Sequence, residues 1–193
     1  MVWKTAGEMK PLLIDREEVY TGEQLRSLWA YTTHDMQGDS IVAFTGPCDV
    51  RPDLICDMAD AKDGATIKAA RMLHFIIEHF DCDLGKTILR QRLLMAMIKD
   101  EVNRHIARAA VRREGDDLYD GDRKLTVSIA TASPVSTMIH AGVNIDPAGA
   151  PVPAVGLTKY GIEAREFAQA VMSAYVAEMD SVDGARAKVK GVP

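Results

Sequence analysis

From Arg123 to Ala132, and again from Thr137 to Ile145, the chain alternates between apolar and polar or small side chains with a period of two. No helix accommodates that period, because a strand turns successive side chains to opposite faces while a helix returns only about every 3.6 residues. Ser133 to Thr137, with Pro134 and two further hydroxyl side chains, reads as the hairpin loop joining the two runs. On the first strand Leu125, Val127, Ile129 and Thr131 share one face, and Lys124, Thr126, Ser128 and Ala130 the other. On the second strand Ile139, Ala141, Val143 and Ile145 oppose Met138, His140, Gly142 and Asn144. The two apolar sets are expected to join in one core, leaving Lys124, Thr126, Ser128, His140, Gly142 and Asn144 on a shared polar face. A bare sheet face in water is one outcome. A solvated face usually carries long charged side chains, however, and this one is small enough to leave a recess, which is how ligand sites are built.

The rest of the chain surrounds that unit. Leu12–Ile14 reads as a short strand. A helix is expected from Thr21, where Thr21-Gly22-Glu23-Gln24 fits a capping box, through Leu25, Leu28 and Trp29 to a stop before Gly38. Ile41–Phe44 reads as a strand ended by Gly46-Pro47, and Leu54–Cys56 as another. After Asp63, the spacing of Ile67, Ala70, Leu73, Ile77 and Phe80 predicts a helix. A second follows from about Gly85 to Arg104, with Leu89, Leu93, Ala96, Met97 and Val102 on its stripe. A weak alternation runs from His105 to Ala110, and a last helix from about Lys159 to Asp180. Helices and antiparallel strands in segregated runs indicate an α+β fold: a mixed, largely antiparallel sheet with helices on one face.

At 193 residues the chain suits one domain, expected over 1–182 with a flexible tail at 183–193. A net charge of −5 argues against nucleic acid as a partner. No apolar run reaches the roughly 18 residues that span a bilayer, and no signal-peptide core opens the chain, so a cytoplasmic protein with no membrane partner is expected. Cys48, Cys56 and Cys82 are an odd number without a C-x-x-C pair, which argues against a disulfide framework or a cysteine zinc site and for small buried hydrophobes.

Arg112-Arg113-Glu114-Gly115-Asp116-Asp117-Leu118-Tyr119, followed by Gly121-Asp122-Arg123-Lys124-Leu125, resembles the K-W-P-N-D-L-Y…G-R-K-L pattern of biotin protein ligases. Ile139-His140-Ala141-Gly142-Val143-Asn144-Ile145 resembles that family's I-G-I-G-I-N-V strand. Over most of residues 20 to 180 the chain also resembles an uncharacterised, mainly archaeal family, domain of unknown function 366. Leu25-Arg26-Ser27, Gly38–Val42, Gly46–Val50, Met72–Phe75, Glu78–Asp81 and Arg113–Asn144 carry that likeness. The ligase resemblance implies the biotin/lipoate ligase-like fold, shared with class II aminoacyl-tRNA synthetases. It also implies roles: Lys124 as the lysine that steadies carboxylate and phosphate, Asp117 as the aspartate of the N-D pair, and Gly142 as a close approach to ligand. It implies ATP and Mg²⁺ as well, but the G-R-G-R-R-G loop that covers the adenylate has no counterpart in Phe44–Arg51, so the cofactor stays open.

The expected site therefore places Lys124 and His140 in catalytic positions, His140 because an ordinary histidine pKa near about 6.5 suits proton transfer. Arg26, Ser27, Asp116, Asp117, Thr126, Ser128, Gly142 and Asn144 are the ligand-binding candidates, Arg26 and Ser27 by position alone. The bland alternatives are a structural histidine, a solvated helix face at Arg26-Ser27, and turn or ion-pair use of Asp116 and Asp117. No metal ligand set is assigned. His74 and Glu78, four apart on the expected helix, lack the H-E-x-x-H pattern. The function expected is a ligase- or transferase-like domain for a small carboxylate or acyl donor. The alternatives are a non-catalytic ligand-binding or regulatory module and a metal-dependent hydrolase using Asp116, Asp117 and a histidine. A homodimer is expected from the fold alone.

Overall fold

The computed structural model describes residues 9–106 and 110–192. Five strands form the main sheet: β1 (Lys10–Leu13), β2 (Ser40–Asp49), β3 (Lys68–His79), β7 (Thr126–Ala132) and β8 (Thr137–Asp146), in the order β1-β2-β3-β8-β7. Among the described strands only β1 and β2 pair with each other in parallel. A smaller antiparallel sheet holds β4 (Val111–Glu114), β5 (Asp117–Asp120) and β6 (Arg123–Lys124). The helices are α1 (Trp29–His34), α2 (Met58–Lys62), α3 (Leu84–His105) and α4 (Ala164–Arg186). The α+β class is as expected, with the long helices on one face of a largely antiparallel sheet.

α3 and α4 form where expected, but α3 is rotated from its expected stripe: Val102 is buried, while Leu89 is exposed and Leu93, Ala96 and Met97 are only partly buried. Asp83 caps α3 by accepting from the Lys86 amide, and Leu94, Met95, Ile98 and Val102 are buried. From α4, Phe167, Ala168, Val171, Met172 and Tyr175 pack into the same core, and the helix continues past Asp180 into the stretch expected as tail. The odd-numbered residues of β3 and β8 face these helices: Leu73, Phe75 and Ile77 beside Ile139, Ala141 and Val143.

Three expectations fail. The helix drawn over Ile67 to Phe80 is β3, a central strand between β2 and β8. Both its faces are covered, so Met72-Leu73-His74-Phe75-Ile76-Ile77 is one continuous buried run, which periodicity cannot tell from a helix stripe. The capping-box contacts at Thr21 form, with the Thr21 amide donating to Gln24 Oε1, but they close a turn in which Gly22 has φ 93°, and α1 begins only at Trp29. Leu54 ends a 3-10 turn from Pro52 and starts no strand. Of the weak alternation near His105, Ile106 ends α3 and residues 107–109 lie outside the described residues.

The fourth correction concerns register. β7 and β8 pair Val127 with Gly142 and Ile129 with His140. Directly opposed residues share a face, so Val127 and Ile129 accompany the polar set of β8, while Thr126, Ser128 and Ala130 accompany Val143, Ala141 and Ile139. The four-residue turn Ser133–Ser136 closes on an Ala132–Thr137 pair and sets this parity; a one-residue difference would reverse every assignment.

Candidate functional site

The sheet face away from α3 and α4 is not open to water. A second apolar cluster covers it, built on Val42, Phe44, Met72 and Ile76 and capped by Tyr20, Trp29, Ala30 and Val50. Tyr20 arrives because residues 18–20 run alongside β2: the Glu18 amide donates to Thr45 O, and the Tyr20 amide donates to Pro47 O. That close approach requires Gly46, where an added Cβ would lie 2.0 Å from the Glu18 carbonyl oxygen.

Between this cap, the segment joining β2 to β3, and β6–β8 lies a cavity of about 460 Å³. Its apolar wall includes Val50, Leu54, Ile55, Ile67, Met72, Val127 and Ile129. Its polar groups include Lys124, Asp116, Asp117, Asn144, Thr126, Ser128 and His140. Seven expected site residues therefore border one space, despite the register correction. Gly142 lies just beneath, where a Cβ would meet Met72 Cε at 2.8 Å and His140 Cε1 at 3.4 Å. Arg26 is exposed and does not border the cavity. Ser27 turns elsewhere: its hydroxyl lies 2.9 Å from Ser136 Oγ and donates to Glu78 Oε1.

Lys124 Nζ stands 2.7 Å from Asp117 Oδ2, both side chains about a quarter exposed. Burial pushes the Asp117 carboxyl above its usual range; the Lys124 ammonium opposes this, and Asp116 and Asp60 add to it. The adjacent acids diverge, as their spacing requires. Asp116 takes Arg92 Nη1 at 3.3 Å and Gln91 Nε2 at 3.2 Å, both from α3. Asn144 donates through Nδ2 to Lys124 O at 3.2 Å, tying β8 to the lysine. Ser128 donates to Asp116 O and accepts from Gln91 Nε2.

His140 is 3% exposed and stacks on Tyr20 with ring centroids 3.8 Å apart. Its Nε2 lies 3.1 Å from His74 Nδ1, and His74 Nε2 lies 3.3 Å from Gly46 O. Burial drives both imidazoles down, His74 to about 4 and His140 well below its ordinary value with His74 adding to the effect. Both are therefore neutral at physiological pH, and His140 is not the near-neutral titrating group the sequence reading assigned. His74 and Glu78, read as helical neighbours, are strand residues of this same face. Glu78 is buried and accepts from the Leu28 amide at 2.8 Å and Ser136 Oγ at 2.6 Å.

Among the described residues no group of three or more His, Cys, Asp or Glu side chains is disposed to hold a metal ion. No described helix is long and apolar enough to cross a membrane. Cys48 is buried as expected, while Cys56, on the cavity wall, and Cys82 are exposed.

Sequence reasoning missed Tyr20, Met72 and the wall from Val50 to Ile67. Met72 was hidden by the helical reading of β3, although the alternation of Met72, His74, Ile76 and Glu78 against Leu73, Phe75 and Ile77 would have revealed a two-sided strand. Tyr20 has no local signal beyond Gly46, whose reason is the chain crossing it.

The fold is similar to that of solved biotin and lipoate protein ligases. The chain shares it with a biotin protein ligase from Aquifex aeolicus in complex with biotin and ATP, with a TM-score of 0.54 and 11% identity over 86% of this chain and 68% of that one. A putative lipoate protein ligase from T. acidophilum with bound lipoic acid gives a TM-score of 0.50 and 11% identity over 78% and 77% of the two chains. The chain itself belongs to the family described as Domain of unknown function (DUF366), which matches residues 9–190. A protein of unknown function from Pyrococcus horikoshi is 37% identical, with a TM-score of 0.92 over 96% of this chain and all of that one. The uncharacterized protein MJ0805 of Methanocaldococcus jannaschii is 38% identical over 171 residues, 85% of this chain and 76% of its own.

Proposed function

We propose that the cavity binds a small carboxylic acid, or the acyl group derived from it, with the carboxyl end at Lys124 and the apolar body along Met72, Ile67, Leu54 and Val127. The observation that carries this reading is one ammonium held by Asp117 at the polar side of a space whose other walls are mostly apolar. An ammonium gains most from an anion where water is partly excluded. Asp117, pushed toward neutrality by burial, can yield its partner to an incoming carboxylate. The two fold relatives were solved with biotin and ATP and with lipoic acid, and biotin and lipoic acid are both carboxylic acids whose carboxylate ends an apolar chain.

A nucleotide triphosphate fits this wall poorly. The segment that covers the cavity presents Asp57 and Asp60, and Lys68, on the same wall, is engaged by Asp49 at 3.0 Å. Carboxylates opposite a polyphosphate repel it. The reading is therefore acyl capture or transfer from an activated donor, with no adenylation step.

Titration with octanoate and with octanamide tests it. The acid is expected to bind in preference to the amide. Lys124→Ala should weaken the acid about 10- to 100-fold, the loss of a charge-assisted hydrogen bond, and erase the preference. An unchanged octanoate affinity in a variant with an unaltered circular-dichroism spectrum sinks the assignment.

A further inference from the structure

Two polar atoms at the floor of the cavity have no partner. Neither the Tyr20 hydroxyl nor His140 Nδ1 makes a hydrogen bond among the described residues, though each residue is only 3% exposed. Among the described residues the fully buried side-chain nitrogen and oxygen atoms lacking a partner are His34 Nε2 and Ser40 Oγ. The Tyr20 oxygen and His140 Nδ1 are therefore reached from the cavity that both side chains line. A nearly buried polar group left unpaired is costly, so this pair calls for an occupant.

The proton positions follow from one backbone atom. The Gly46 carbonyl only accepts, so His74 carries its proton on Nε2 and donates it there. Neutral His74 then offers a lone pair at Nδ1, which must accept from Nε2–H of His140. Neutral His140 is left with a lone pair on Nδ1. The cavity lining thus presents a pure acceptor, and Tyr20, whose ring stacks on that of His140, can donate through its hydroxyl. No charge stands there, and burial holds the Tyr20 phenol well above its ordinary pKa.

We infer that the acid bound in this cavity carries, at the end away from its carboxylate, an uncharged group that both donates and accepts a hydrogen bond, such as a hydroxyl or a carboxamide. It donates to His140 Nδ1 and accepts from the Tyr20 hydroxyl. An ammonium would be desolvated there without a counter-charge, and a methyl would leave both protein atoms unpaired. This specificity rests on the carboxylate reading above and adds the far end of the ligand to it.

The test is calorimetric titration with straight-chain acids from butanoate to decanoate, each with a methyl, hydroxyl, carboxamide or ammonium terminus. At the best-fitting length the hydroxyl or carboxamide member should bind about 5- to 10-fold tighter than the methyl member, the sum of two modest neutral hydrogen bonds, and the ammonium member should be the weakest. Tyr20→Phe keeps the stacking, so it should cut the preference about threefold, in part by letting the methyl series bind tighter once no hydroxyl is left unpaired. The ¹⁵N shifts of His140 should report Nε2 protonated, with Nδ1 moving on binding of the hydroxyl member. Acids that bind with the methyl member equal or best overturn this inference and spare the carboxylate site. Failure of every acid to bind removes both.

Discussion

The two faces of β3 and β8 are equally buried and differently made. On the face toward α3 and α4 stand Leu73, Phe75, Ile77, Ile139, Ala141 and Val143, all apolar and all fully buried. On the other stand Met72, His74, Ile76, Glu78, Met138, His140 and Asn144, hardly more exposed. Burial alone does not explain the difference; the covering does. A helix spends its interior backbone donors and acceptors on itself, so it can satisfy a buried polar group only with a side chain. That is what occurs at the margins of the helix face, where His79 meets Tyr175 Oη at 3.0 Å and Ser128 meets Gln91 at 2.8 Å. The opposite face is covered by irregular chain, whose backbone is free. Gly46 O, at the register shift of β2, serves His74 there, and the Leu28 amide, from the irregular chain before α1, serves Glu78. Leu28 adopts φ 64° to do so, a conformation that a branched side chain visits only at a cost. The functional face is the one where irregular backbone, at a strand's register shift and in the covering chain, supplies the partners.

If this contrast is right, the helix face should fail through lost volume. Phe75→Ala removes a fully buried ring that helices cannot collapse to replace, and should cost about 3–5 kcal/mol by urea denaturation. A loss under about 1 kcal/mol would mean that α3 and α4 do not define the core.

The loop face should instead respond to protons. His74 is held to about 4, below its ordinary value of 6.5. A histidine whose folded pKa is depressed takes up its proton more readily when unfolded, so stability is present in full above about pH 6.5 and falls as the pH drops toward 4. For His74 alone the fall amounts to about 3 kcal/mol, and His140 adds in the same direction. His74→Phe is expected to be less stable at neutral pH, since Gly46 O and His140 Nε2 lose their partner, but to have a flatter stability profile between pH 6.5 and 4. An equal slope in the two proteins would show that His74 does not titrate as its burial requires.

Much of this was legible before any coordinates. Alternation located β7 and β8, helical spacing of apolar residues located α3 and α4, and residue chemistry put Lys124, Asp117, His140 and Asn144 in one neighbourhood. The illegible parts share a physical cause. β3 is covered on both faces, so its apolar run has no period to read. The parity of β7 against β8 depends on where a turn closes, and no single strand encodes that. The capping box at Thr21 describes local hydrogen bonds that a turn can also make. The depressed pKa of His140 belongs to Tyr20 and His74, which lie 120 and 66 positions away in the chain.

The smallest effect tests the boundary between the two faces. Thr126 is fully buried on the helix side of β7, and its Oγ1 accepts the Leu118 amide at 2.9 Å. Thr126→Val keeps the shape and removes the acceptor. The Leu118 amide would then be buried without a partner, since the exchange of Leu125 N for Leu118 O uses only the carbonyl. The expected loss is about 1–2 kcal/mol, with octanoate affinity little changed, because Thr126 supports the small sheet and Lys124 holds the acid. Amide exchange at Leu118 should rise in step with the lost stability. A larger loss of binding than of stability would show that Thr126, which also borders the cavity, contacts the ligand itself, and the division between the faces would have to be drawn one strand further in.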